Sequence, residues 1–246
     1  MDPIAQSKNR LQKTNFLDQG SEDWFKVLEH CLELNPNNAA ALRIKSIWFT
    51  KTGDYVNAYS LLNRAVELDP FEALVYRGWL KLYKLHDYFG ALNDFEKIIS
   101  ITKSGTRLKF FEDIYYLMGL TRMQLAQYKE AITAFDMSIQ RIYKYQTQLE
   151  DLVYILVDKA ICQLELGAYE DSLGTLEQAL EVNGNTPECY YQKANALIHL
   201  GKKSEAKKFY IKALKLASQG KIRFNPYKDF FNQLYIEEIS EKLDAK

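Results

Sequence analysis

Proline and glycine are scarce in this chain, with five and eleven among 246 residues, a scarcity that fits a helical protein. Net charge is absent: Lys plus Arg and Asp plus Glu each total 32. No global field therefore draws the molecule to nucleic acid or anionic lipid. Cysteine is reduced to Cys31, Cys162 and Cys189, odd in number, far apart and without a CxxC pair. That pattern argues against a disulfide framework or zinc site and suits buried, reduced thiols in a cytoplasmic protein. No apolar run approaches the roughly 20 residues that span a bilayer. The opening stretch, MDPIAQSKNRLQKTNF, has no apolar core, so no signal peptide is expected.

Catalytic and cofactor motifs are missing too. His30, His86 and His199 have no Cys or His at metal-ligand spacing, and packing or solvated roles are expected. The GKKS at Gly201 has the look of a phosphate-loop end, but Ala196 stands where the first glycine is needed and Lys203 takes the Ser/Thr place. There is no nucleophile elbow, no HExxH and no calcium loop. The acidic pairs Glu170–Asp171 and Glu237–Glu238 read as solvated helical faces.

What is present is a repeat. A small residue recurs at Ala58, Ala91, Ala131, Ser172 and Ala206, at intervals of 33, 40, 41 and 34. Four places later stand Leu62, Phe95, Phe135, Leu176 and Tyr210. Three further on come Ala65, Ile98, Ser138, Ala179 and Ala213. Small, large and small at i, i+4 and i+7 lie along one helical face, where a second helix can approach closely. Upstream of each turn an apolar helix carries a small residue of its own: Ser46, Gly78 (one place out of register), Gly119, Ala160 and Ala194. Gly53, Gly167 and Gly201 sit at the turns, where positive φ ends the first helix. Pro36, Pro70 and Pro187 mark boundaries between units.

Two intervals are long. The surplus around SITKSGTRLKFF, with its Ser-Gly, reads as a loop. That around IQRIYKYQTQLEDLVY has no breaker, so it lengthens two helices by about a turn each.

These residues resemble the tetratricopeptide (TPR) repeat, a pair of antiparallel helices of about 34 residues. Residues 39–71 fit best, through Ser46, Gly53, Tyr55, Ala58, Leu62, Ala65 and Pro70. Other units are placed at 5–38 (degenerate), 72–104, 112–145, 153–186 and 187–220, within one solenoid over 1–246. The resemblance implies an all-α, right-handed α-α superhelix of five to six units. A capping helix is expected over 226–243, with Asn225 as N-cap, Pro226 at its first position, and Phe230, Phe231, Leu234 and Ile239 on its apolar face.

The resemblance also implies that the first helix of each pair lines a concave groove. Repeat register places Arg43, Ile47, Tyr76, Arg77, Tyr83, Tyr116, Leu120, Tyr154, Asp158, Tyr191 and Asn195 on that wall, with the four tyrosines Tyr76, Tyr116, Tyr154 and Tyr191 as a ladder. Tyrosine offers apolar area and a hydrogen bond at low entropic cost, which suits a protein-binding surface. Arg43 and Arg77 would then meet acidic character in a ligand, and Asp113, Asp158 and Glu188 basic character. The family's carboxylate clamp for chaperone tails is absent, since Arg77 stands where an Asn is needed. Near the C-terminus an acidic stretch, Glu165 to Glu188, precedes a basic one, Lys202 to Arg223. The basic stretch reads as a solvated helix back, with an acidic partner or RNA as the alternative.

The expectation is thus a non-enzymatic cytoplasmic scaffold for a protein or peptide segment. It needs no cofactor and no metal, touches no membrane, and nucleic acid is disfavoured as a partner. The alternatives are a homo-oligomeric assembly subunit using its ends or convex face, and a regulatory subunit of an enzyme complex. Oligomeric state stays open.

Overall fold

A computed structural model of the chain describes residues 2–102, 112–145, 149–225 and 230–244, with the backbone alone at 149 and 150. These residues form helices and no strand. They fall into two compact units, Met1–Phe111 and Glu112–Lys246. The first holds α1 (Pro3–Leu11), a 3-10 turn (Gln12–Phe16), α2 (Glu22–Leu34), α3 (Ala39–Lys51), α4 (Tyr55–Leu68), α5 (Pro70–Leu80) with a π-helical turn (Lys81–Leu85), and α6 (Tyr88–Thr102). The second holds α7 (Ile114–Gln124), α8 (Tyr128–Tyr145), α9 (Leu149–Glu165), α10 (Tyr169–Val182), α11 (Pro187–His199), α12 (Lys203–Ala217) and α13 (Ile236–Asp244). Consecutive helices pair: α1 with α2, α3 with α4, α5 with α6, and α7 to α12 likewise.

Several helices start where the sequence supplies an acceptor for the orphan N–H groups of the first turn. Asn38 accepts from the Ala41 N–H, Asp54 from Asn57, and Asp69 from Phe71 with Pro70 in the first turn. They meet through the small residues. Ala58, Ala91, Ala131, Ser172 and Ala206 are fully buried, as are Leu62, Phe95, Phe135 and Leu176. Size is complementary at two crossings: a Cβ on Gly78 would strike the Phe95 ring, and one on Gly119 the Phe135 ring. Glycine on the first helix is what admits phenylalanine on the second.

The register surplus at Gly78 has a structural solution. Ser46 precedes Ala58 by twelve places, but Gly78 precedes Ala91 by thirteen. The extra residue is absorbed in the π-helical turn Lys81–Leu85, whose wider winding takes one residue more. Gly78 thereby still faces its phenylalanine.

The long second interval lengthens its helices as expected: α8 has 18 residues and α9 has 17, against 14 in α4. The expected loop around 103–111 lies outside the described residues. At the N-terminus α1 packs against α2. Ser7 is fully buried, donating to the Cys31 carbonyl at 2.7 Å and accepting from Asn38 Nδ2 at 2.8 Å.

The capping helix requires correction. Instead of 226–243, the helix occupies Ile236–Asp244. Residues 230–235 are irregular, Asn225 is non-helical, and 226–229, including Pro226, lie outside the described residues. Of the four residues expected on one helical face, Ile239 alone is in the helix. It packs with Leu234 into a cluster of Tyr190, Leu197, Tyr210 and Leu216. All three cysteines are buried and unpaired.

Candidate functional site

In the first unit, the wall residues are occupied by one another. Arg43 forms an ion pair with Glu72. Ile47 is half-buried against a cluster of Ala58, Leu62, Tyr76 and Leu80. Tyr76 is buried and stacks on Trp79 at 5.8 Å, and Trp79 lies 5.2 Å from the buried Tyr83. Arg77 grips Asp94 through both oxygens, Nε to Oδ2 at 2.8 Å and Nη2 to Oδ1 at 2.6 Å, and donates to Asn63 Oδ1 at 2.8 Å. Asp94 is fully buried and takes Lys81 Nζ at 2.9 Å as well. Hydrogen bonding to Asp94 raises the Arg77 pKa despite partial burial. The expectation that Arg77 awaits an acidic ligand is therefore corrected: its fork is committed to a carboxylate of its own unit, where a buried charge demands it.

The second unit assembles a different site. Helices α7, α9 and α11 supply Tyr116, Tyr154 with Asp158, and Glu188. After α12 the chain turns at Gly220, φ 74°, and runs back across these first helices. Arg223 is the centre of the contact. Its backbone N–H donates to Glu188 Oε1 at 2.8 Å. Its guanidinium lies 4.2 Å from the Tyr154 ring centroid and 3.7 Å from that of Phe230. Nη1 and Nη2 each donate to the Tyr116 hydroxyl at 3.2 Å, and Nη1 stands 4.0 Å from Asp158 Oδ2. Tyr116 donates in turn to Asp158 Oδ2 at 2.8 Å, and Asn232 Nδ2 to Asp158 Oδ1 at 2.9 Å. Gln233 Nε2 returns to the Arg223 carbonyl at 3.2 Å.

Burial governs the electrostatics. It pushes the Tyr116 phenol well above its usual range, with Asp158 adding to the shift, so the hydroxyl stays a donor. It pushes Tyr154 up to about 12, Glu188 adding. It also raises Glu188, against the pull of the Arg223 N–H and charge. Burial alone would weaken the Arg223 cation, but Tyr116 and Asp158 outweigh it and raise its pKa.

Beyond Asn232 the wall opens into a cleft of about 1020 Å³, lined by Ile161, Gln192, Asn195, His199, Tyr210 and Leu243 among others. Asn195 accepts from the Tyr210 hydroxyl at 2.6 Å and donates to Gln192 at 2.9 Å, and Tyr191 lies 5.7 Å from Tyr210.

Of the residues expected on the wall, Tyr116 on α7 and Tyr154 and Asp158 on α9 take part in this contact, and Asn195 lines the adjoining cleft. Leu120 is core. Tyr116 is 3% exposed, so it is covered by the chain itself and is no open rung. The residues missed were Arg223, Asn232 and Gln233. In the sequence Arg223 reads with the lysines of the helix back. Its apolar neighbours Ile222 and Phe224 were the available sign that it belongs to a different surface. Lys202, Lys203, Lys207, Lys208, Lys212 and Lys215 are exposed on or beside α12.

The tetratricopeptide repeat profile matches residues 112–141 and 187–219. A TPR repeat-containing protein of Methanocaldococcus jannaschii is 24% identical over 166 residues, 66% of this chain and 23% of that protein. The chain therefore spans about a quarter of that relative. Among solved structures, MamA aligns with TM-score 0.60 and 16% identity, over 71% of this chain and 95% of its own. YrrB, described as a TPR protein with an unusual peptide-binding site, gives 0.61 and 16%, over 78% and 92%. A chain of the APC/C hetero-tetramer Cut9–Hcn1 gives 0.64 and 13%, over 98% and 42%. At these identities the likeness is one of fold.

Proposed function

Because the chain is a tetratricopeptide-repeat protein with an all-α solenoid fold, we propose that it is a non-enzymatic scaffold that holds a segment of another protein against the first helices of its repeats. The observation that carries this reading is the contact that Arg223 and Asn232 make with the first helices of the second unit. Side chains of α7, α9 and α11 seat Arg223 and Asn232 through the Tyr154 ring face, the Tyr116 hydroxyl, the buried Asp158 carboxylate and the Glu188 carboxylate. A surface with that chemistry for one segment has it for another, and extended segments are a recurring mode of recognition. The peptide-binding site ascribed to YrrB supports the same class of ligand.

The partner in this reading is a protein or peptide. No group of three or more His, Cys, Asp or Glu among the described residues is placed to hold a metal, and no described helix is long and apolar enough to cross a membrane.

Affinity capture with the full chain tests it. Tyr154→Ala and Tyr191→Ala are expected to retain their circular dichroism and lose the captured partner by about 2 kcal/mol each. Lys208→Glu on the back is expected to keep it. If the tyrosine variants hold their partner and Lys208→Glu releases it, the basic face is the working surface and the wall is not.

A further inference from the structure

The second helices of the last two repeats carry their charge in two blocks of opposite sign. On α10 the exposed stripe holds Glu170, Gly174, Glu177 and Glu181. On α12 it holds Lys208, Ile211, Lys212 and Lys215. Each stripe recurs at three and four residues, which is one helical face. A shift of 34 residues, the repeat interval, carries Gly174 to Lys208, Glu177 to Ile211 and Glu181 to Lys215. The two helices thus present equivalent faces, one acidic and one basic. They run the same way, because α11 stands between them in the chain and packs on both. Lys193 of α11 reaches both, with Nζ 3.0 Å from Glu177 Oε1 and 4.8 Å from the centroid of the Phe209 ring on α12. Acidic and basic stripes are therefore neighbours on a single surface.

Few of these charges are answered within the chain. Glu177 takes Lys193, but Glu170, Glu181, Lys208 and Lys215 have no ion-pair partner among the described residues. Helix α13 packs on α12 and brings its own carboxylates, yet on the other side. Burial raises the Tyr191 pKa and Glu238 and Glu241 add to it, which sets both glutamates toward the first-helix wall. Gly174 is a second, independent sign. It sits in mid-helix, where glycine costs stability relative to alanine, and a Cβ there would meet nothing within 4 Å. Packing among the described residues does not call for the missing side chain, whereas close approach of a second surface does. At the matching level of α12 stand Lys208 and, one turn on, Ile211, which is 52% exposed.

We propose that this surface docks a second copy of the chain, with α10 of each copy lying along α12 of the other. Symmetry fixes the arrangement. A two-fold axis running parallel to the helices, midway between α10 and α12, sets acid against base at both contacts. An axis across the helices would set α10 on α10 and α12 on α12, like charge on like. With the parallel axis, residues meet at matching levels: Glu181 faces Lys215, and Gly174 leaves room for Lys208 and Ile211. A polyanion is a poorer occupant, because the α10 carboxylates beside the lysines repel its phosphates. Exposed ion pairs contribute little singly, so the dimer is weak, salt-sensitive and distinct from the wall that holds the partner segment.

Sedimentation velocity of the full chain, from about 1 µM to about 1 mM, covers the Kd range of such an association. Wild type is expected to pass from monomer to dimer, with a Kd about tenfold weaker at high salt than at low. Two variants reverse one stripe each at exposed positions: Lys208→Glu with Lys215→Glu, and Glu170→Lys with Glu181→Lys. Each alone is expected to weaken the dimer by about tenfold or more. Mixed in equal amounts they are expected to restore it, since the charges are again complementary across the pair. Gly174→Gln alters no charge and suits a helix better, so it is expected to keep the fold by circular dichroism and weaken the dimer about tenfold. A wild-type chain that stays monomeric, reversed variants that dimerise as wild type does, or a mixture that stays monomeric overturns the proposal. Polyuridylate probes the rival occupant. If it binds wild type at about 150 mM salt and not the lysine-reversed variant, the surface belongs to nucleic acid and the proposal falls. Tyr154→Ala is expected to dimerise as wild type does; loss of its dimer would put the contact on the wall and overturn the assignment too.

Discussion

Five positions before each small crossing residue the backbone turns left-handed, at Gly53, His86, Ala126, Gly167 and Gly201. Three glycines made this turn legible in the sequence. The other two did not, because packing of the helices on either side imposes the conformation whatever residue stands there. Ala126 at φ 55° pays for its Cβ, a strain of about 1–2 kcal/mol, whereas glycine would loosen the unfolded chain by roughly 0.5–1 kcal/mol. Ala126→Gly is therefore expected to raise stability by about 0.5–1 kcal/mol; an unchanged or lower urea midpoint would show that the turn is unstrained. Glu188 gives a second prediction at this scale. Burial raises its pKa above the ordinary 4.5, so the folded state holds its proton more firmly than the unfolded state does. The associated stability is fully present below about pH 4.5 and is lost as pH rises through the folded value. Glu188→Gln removes that dependence while keeping an acceptor for the Arg223 N–H. Its urea midpoint, measured relative to wild type, should improve steadily between pH 4 and pH 7, taken as roughly the span of the titration. A difference independent of pH would mean that the carboxylate is not desolvated.

At the scale of elements, the helix pairs were readable because small-large-small spacing is local and repeats, and each of its crossing residues is buried. The return of the chain after α12 was not readable by the same means. Phe230, Phe231, Leu234 and Ile239 have the spacing of one helical face, yet the Arg223–Phe230 stack and the Asn232–Asp158 bond hold residues 230–235 out of a helix. The second of these joins residues 74 positions apart, and no local pattern encodes it; tertiary contact overrides propensity here. The same asymmetry explains the site. Tyr154 and Asp158 follow from register, but Arg223 comes from outside the repeat. The capping role itself survives the correction, since Leu234 and Ile239 are 4% and 0% exposed against Tyr210 and Leu216. Ending the chain at Ser218 strips this cover from the last pair and leaves Asp158 and Glu188 without Asn232 and Arg223. Loss of the two buried aliphatic side chains alone should cost about 4–10 kcal/mol, taking each as a large-to-small core deletion. Binding of a hydrophobic dye should rise and the unfolding transition broaden. A truncated chain as stable and cooperative as the full one would deny the segment its cap.

For the molecule as a whole, 32 cationic and 32 anionic side chains leave no net field to steer a partner from a distance. The charges that matter at the wall are withdrawn from solvent: Arg77 lies on Asp94 and Arg223 between two rings. The lysines of α12 are the opposite, exposed along one helix. These two surfaces respond differently to salt. Exposed charges separated by more than the Debye length, about 10 Å at 0.1 M, are screened, and an interface resting on several exposed lysines against phosphates loses roughly 10³–10⁵ in affinity between about 50 and 200 mM salt. A segment seated on ring faces and a buried carboxylate is protected from that screening, so its affinity should fall by no more than about threefold over the same range. Association should then proceed at the unsteered rate of roughly 10⁵–10⁶ M⁻¹s⁻¹. Titration of the captured partner's binding segment at both salt concentrations separates the two surfaces. A shallow dependence places the ligand on the first-helix wall. A steep one places it on the lysines of α12, and Lys208→Glu should then reduce both the affinity and its salt slope.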